Sequence, residues 1–197
     1  VGAFGIEDNR KLVPTRWSIT AVDDTLGHHL IEEIKNYSTI EDYQVYEFGT
    51  MNTYFSILLM PTSWNYEFLE AFMRIFGREE LIFSDWEPYG ERKTYASMGG
   101  CYYSTKLAVA EKLHDMQRQA GVLVFRESYT GYVPLGVWLV RQTVRKAMQQ
   151  QPMHFESKSA ALTYIATKLR LPFSRYQQQS VLLKQKRVDD FASSRVA

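Results

Sequence analysis

Two adjacent pairs of residues have the chemistry for a hydrolytic site: Asp23 with Asp24, and Arg126 with Glu127. Three carboxylates can hold a divalent cation that activates water, and an arginine beside them can clamp a phosphate. Arg16 and the Gly99–Gly100 pair can add anion contacts, because glycines before a helix let backbone N–H groups approach a charged oxygen. Arg141 and Arg145 stand four apart, so on a helix they share a side and repel unless an anion or a carboxylate lies between them. Glu127 is the expected internal carboxylate for that pair. Each feature also has a plain structural reading: capping for the aspartates, turn chemistry for the glycines, internal ion pairing for the arginines.

Other chemistry is thinner. The lone Cys101 sits just before an expected helix, where thiol pKa values fall, but no histidine is placed beside it and a structural role is expected. His28 and His29 lack a second cluster at metal-ligand spacing, so no metal site is expected from them. There is no Walker loop, no His-Glu-x-x-His and no nucleophile elbow, so no motif identifies a cofactor, which stays unknown from the sequence.

The elements that must position these residues follow from periodicity. Trp17–Val22 nearly alternates apolar and polar, which predicts a half-buried strand, with Asp23 and Asp24 at the start of the helix that follows. Thr25–Asn36 predicts that helix, with Leu26, Leu30 and Ile34 on one face. Tyr43–Phe48 and Tyr54–Met60 predict two strands of an antiparallel hairpin. Phe68, Leu69, Phe72 and Phe76 have helical spacing and predict a helix over 64–76. Ser84–Lys93 reads as a loop, in which Trp86 and Tyr89 either stack a base or pin the loop. Tyr95–Met98 is the expected fifth strand, and a helix is expected from near Ser104. Val122–Phe125 reads as a buried strand ending at Arg126–Glu127. Pro134 suits the first turn of a helix whose inner face is Val137, Val140, Val144 and Met148. Ser157 or Ser159 can cap a further helix that Pro172 stops. The sum is an α/β class: a mixed β-sheet flanked by helices, over 1–172, followed by a basic helical tail over 173–197 read as lying outside the core.

Composition bounds the rest. In 197 residues, 45% are hydrophobic, which suits one large globular domain. One cysteine rules out an internal disulfide and fits a reducing, cytoplasmic setting. No apolar run is long enough to span a membrane, and none is expected as a partner. The net charge of +1 conceals a polarity: residues 19–91 hold fourteen acidic and three basic side chains, residues 139–187 ten basic and one acidic. Such a chain either presents a basic face to nucleic acid or pairs its halves internally.

The run Lys11-Leu-Val-Pro-Thr-Arg-Trp-Ser-Ile-Thr-Ala-Val-Asp23 resembles the signature of the archaeal Nre proteins, a family described as DNA-repair proteins that bind the sliding clamp (PCNA). Further resemblances lie at Gly99-Gly-Cys-Tyr102, Leu123-Val-Phe-Arg-Glu127 and Pro134-Leu-Gly-Val-Trp-Leu-Val-Arg141, and together they cover most of the chain. The zinc-finger-like cysteines of the family's N-terminal region are absent here, and with Val1 at the start the chain is expected to be the C-terminal half of a longer protein.

The tail adds Gln185-Lys-Arg-Val188-Asp-Asp-Phe191, similar to the clamp-binding box of replication and repair proteins. One helical turn puts Val188 and Phe191 on one side, to fill a hydrophobic pocket together while Gln185 hydrogen-bonds beside it. Ala192 stands where many such boxes carry a second aromatic, so a weak box is expected, spanning 185–192. The resemblance implies a repair protein tethered to the clamp, with DNA as a partner. The alternative from the residues is a metal-dependent, nuclease-like enzyme using Asp23, Asp24, Arg126 and Glu127, and it requires them to converge in one pocket. A non-catalytic protein-binding scaffold would show neither a basic groove nor a carboxylate cluster.

Overall fold

The computed structural model describes residues 2–4, 11–13 and 15–185, with side chains described from Ser18 onward. A short antiparallel hairpin, β1 (Gly2–Phe4) and β2 (Lys11–Val13), leads into a long helix, α1 (Thr15–Ile34). The expected strand at Trp17–Val22 is therefore helical, and Asp23 and Asp24 lie in mid-helix instead of at a helix start. From Ser18 onward the buried positions of α1 are Thr20, Asp23, Gly27, Ile31 and Ile34, three or four residues apart. Three of these five are polar or lack a side chain, so hydrophobicity alone does not reveal the stripe. Leu26, expected on the inner face, is exposed.

Two hairpins follow. β3 (Tyr43–Thr50) and β4 (Thr53–Met60) pair antiparallel as expected, joined by Met51 and Asn52, both at positive φ as two-residue hairpin turns require. β5 (Asn65–Met73) and β6 (Glu80–Glu87) form the second, which corrects both the helix expected over 64–76 and the loop expected from Ser84. β5 is covered on both faces, so its apolar residues run almost continuously and their spacing mimics a helix. α2 (Gly100–Asp115) starts four residues earlier than expected, and Tyr95–Met98 is part of the turn that leads into it, not a strand. β7 (Gly121–Ser128), α3 (Gly136–Met148), β8 (Met153–Phe155), α4 (Lys158–Lys168) and α5 (Phe173–Gln179) complete the elements of the described residues.

The main sheet has the order β6-β5-β7-β4-β3-β8, mixed and flanked by helices, an α/β fold. Every pair is antiparallel except the parallel pair β5–β7. One face packs on α1, α2 and α3 through Phe55, Ile57, Phe68, Val122, Val124 and Val144. The other packs on α4 and α5 through Leu58, Leu69, Leu123, Phe125, Ile165 and Tyr176. Ser157 caps α4 by accepting the Ala160 N–H. Tyr176, Ser180 and Leu182 are buried, so the first part of the basic tail belongs to the core, contrary to its reading as a tail outside it. Burying these side chains offsets the ordering entropy of a seven-residue helix too short to persist alone.

Candidate functional site

Arg126 and Glu127 are neighbours in β7 and therefore point to opposite faces of the sheet. Arg126 lies on the α2 side, paired with Glu70 and donating to the Tyr132 hydroxyl at 3.0 Å. Glu127 lies on the α5 side, where its carboxylate accepts N–H groups of Arg170 and Leu171 and the hydroxyls of Tyr129 and Tyr176. Asp23 is buried and paired with Arg141, while Asp24 meets Lys106 at 3.4 Å. The four candidates thus occupy separate environments and do not share a pocket. Among the described residues, no three His, Cys, Asp or Glu side chains are grouped to hold a metal ion.

The arginine pair on α3 is neutralised from other helices. Arg141 binds Asp23 of α1, and Arg145 binds Glu111 of α2 with its Nε at 2.7 Å. Glu127, the expected partner, is on the far side of the sheet. Burial pushes the Asp23 carboxyl above its usual range, against the pull of Arg141. The Gly99–Gly100 turn is likewise structural at Gly100: a Cβ there would lie 2.5 Å from Val137 Cγ1 and 2.9 Å from Thr20 Oγ1. Gly99 has φ 64, which favours glycine. Cys101 is held protonated, its thiol pushed up to about 11 by burial and by Glu70. Arg16 lies in the first turn of α1. Gln185 is exposed at the last described position, and Val188, Phe191 and Ala192 lie outside the described residues.

The structure instead builds a cleft that sequence reading missed. It lies between α1, the loop 88–98 and α2. Two adjoining cavities of about 470 and 460 Å³ share Asp24, Tyr95 and Tyr103. Lys106, buried on α2, bridges Glu87 at 3.2 Å and Asp24 at 3.4 Å, with its ammonium near the rings of Tyr102 and Tyr103. Asp85 pins the loop: it accepts from Arg92 at 2.9 Å, from the Ser97 hydroxyl at 2.7 Å and from the Met98 N–H at 2.9 Å. Tyr95, 65% exposed, lies beside Tyr103 with ring centroids 5.1 Å apart. An exposed ring over a fixed one, with cations and a carboxylate at hand, can receive a planar ring and hydrogen-bond its edge. The signals were present as Tyr95, Tyr103 and Lys106, but their spacing along the chain means nothing until the loop folds back on α2.

Fold and cleft define a class: a mixed-sheet α/β domain with an aromatic, charge-lined cleft and no assembled carboxylate centre among the described residues. The comparisons are more specific. The model of the archaeal Nre C-terminal region matches residues 87–191, and that of the N-terminal region matches residues 1–75. The chain belongs to the archaeal Nre family and carries sequence of both family regions. It is 42% identical over 191 residues to "DNA repair protein NreB" of Archaeoglobus fulgidus, covering 94% of this chain and 48% of that protein. It is 38% identical over 168 residues to "DNA repair protein NreA" of the same organism, covering 82% and 42%. To "DNA repair protein NreA" of Haloferax volcanii it is 31% identical over 200 residues, covering 96% and 47%. The chain spans about half the length of these relatives. No solved structure matches it. Among the described residues, no helix is long and apolar enough to cross a membrane.

Proposed function

We propose that the protein acts in DNA repair, at or near damaged DNA, and is held there by the sliding clamp (PCNA) through the segment 185–192. The observation that carries the repair role is that three relatives, 31–42% identical over most of the chain, are each named DNA repair protein. Clamp tethering is supported by the spacing of Gln185, Val188 and Phe191, which follow directly on the packed segment ending at Leu182. A box so placed needs only weak affinity, because a tether raises local concentration. The nuclease-like reading loses its support, since Asp23, Asp24, Arg126 and Glu127 do not converge.

Calorimetry of the chain against the sliding clamp tests the tether, with a chain cut after Leu183 in parallel. Binding that disappears with the cut is the expected result. An intact chain that does not bind at high micromolar concentration removes the clamp from the proposal and leaves the repair role to stand on the relatives alone.

A further inference from the structure

A second concave site lies on the opposite face of the sheet, beyond the carboxyl ends of the parallel strands β5 and β7. Ligands of α/β sheets gather at such ends. It is a cavity of about 600 Å³, walled by Arg74 and Glu80 of the second hairpin, Tyr129 and Thr130 after β7, and Arg170 and Arg175 around the start of α5. Three arginines line it, with one carboxylate among them. That carboxylate, Glu80, is taken by Arg74 Nε at 2.8 Å. Arg170 and Arg175 form no ion pair among the described residues; Arg175 donates to a backbone carbonyl, that of Glu80, at 3.4 Å.

The walls are set in advance. Arg170 lies over the Tyr129 ring, its guanidinium carbon 4.1 Å from the ring centroid. Both partners are fixed from behind by the same buried group. The Glu127 carboxylate accepts the Arg170 N–H at 2.9 Å and the Tyr129 hydroxyl at 2.7 Å. It also accepts the Leu171 N–H at 2.8 Å and the Tyr176 hydroxyl at 2.9 Å, so its lone pairs are engaged within the scaffold. The Tyr129 loop is tied to the first hairpin by Tyr129 N–H to the Asn52 carbonyl at 2.8 Å. A stacked guanidinium keeps its hydrogen-bonding edge free, and its flat fork matches two oxygens of a phosphate.

We infer that this arginine pocket binds a phosphate group, with the phosphodiester backbone of a nucleic acid as its source. Glu127 is then a positioning residue that aims Arg170 and Tyr129. The phosphate chemistry stands on the pocket; its source rests on the proposed role at DNA.

The test is fluorescence anisotropy of the full chain with a fluorescein-labelled DNA duplex over a series of salt concentrations, beside the variant Arg170→Ala/Arg175→Ala and the single variant Arg170→Lys. Arg170 is exposed and Arg175 half-buried, and melting curves check that the variants fold. The expected result for the double variant is a loss of roughly tenfold or more in affinity. Its log–log salt slope becomes shallower by about 1 for each phosphate that is no longer neutralised. Arg170→Lys falls between, keeping charge but not the stacked fork. In parallel, inorganic phosphate is titrated while the arginine Nε–H resonances are followed by NMR. Duplex binding that is equal in all variants overturns the pocket while leaving the role at DNA in place. Phosphate shifts at Arg170 and Arg175 without duplex binding uphold the pocket and overturn its nucleic-acid source. Neither signal overturns both.

Discussion

Arg126 reaches across the parallel pair β5–β7 to Glu70, and the two form an ion pair sealed beneath the start of α2. The guanidinium also lies 5.4 Å from the Phe55 ring centroid and 5.2 Å from that of Tyr132. Removing one partner leaves the other charge buried and uncompensated. Glu70→Ala is expected to cost about 3–5 kcal/mol. Glu70→Leu with Arg126→Met, which removes both charges, is expected to cost less than the single change. Urea unfolding of the three proteins measures this, and a single-variant loss under about 1 kcal/mol would contradict the buried-pair account.

Glu67 sets a pH dependence. It is buried on the α5 face, where its carboxylate accepts the Ser180 hydroxyl at 2.5 Å and the N–H groups of Val181 and Leu182 at 2.7 and 2.9 Å. Burial pushes its pKa above the ordinary 4.5, and these donors pull it back only in part. With the folded value raised, the folded state binds more protons than the unfolded one between the two values. Its contribution to stability is therefore fully present below pH 4.5 and is lost as pH rises through the folded value. The difference in unfolding free energy between the protein and Glu67→Gln, followed upward from pH 4.5, is expected to fall; a rise would contradict the assignment.

Gly100 is the contact point of three helices, since a Cβ on it would meet both Thr20 of α1 and Val137 of α3. Gly100→Ala is expected to destabilise by about 1–3 kcal/mol through overpacking. Adding Val137→Ala opens the tighter of the two contacts and is expected to recover part of that loss, read as a shift in thermal midpoint. A destabilisation that Val137→Ala leaves unrelieved would point to the backbone and not to packing.

Cys101 is expected to resist alkylation. With its thiol raised from 9.0 to about 11, the thiolate is about a hundredfold scarcer than in a free cysteine, and its half-buried position further limits access. Iodoacetamide labelling at about pH 8, followed by mass spectrometry, should be slow in the folded protein and ordinary in urea. Fast labelling of the folded chain would reopen a nucleophilic role.

Much of this protein was legible in its residues. The α/β class, the first hairpin, the buried strand at Val122–Phe125, the Ser157 cap and the family all follow from local pattern or from runs such as Lys11–Asp23. What failed did so for physical reasons. α1 hides its buried stripe in Thr20, Asp23 and Gly27: Thr20 packs against Gly100, Asp23 pairs with Arg141 and Gly27 lets α2 approach at Leu107, none of which hydrophobicity reports. β5 buries both faces, Glu67 and Glu70 included, so a period of two is erased.

The partners of the charged residues were beyond any local reading. Arg141 meets Asp23 from 118 positions away, Glu127 meets Arg170 from 43, and Lys106 meets Glu87 only because the loop 88–98 folds back over α2. The sequence by itself determined the α/β class, the first hairpin, the β7 strand and which side chains carry charge, because those are properties of a few adjacent residues. Only the tertiary structure decided which charges neutralise one another and which, like Arg170 and Arg175, form no ion pair within the described fold, because pairing depends on how distant elements dock.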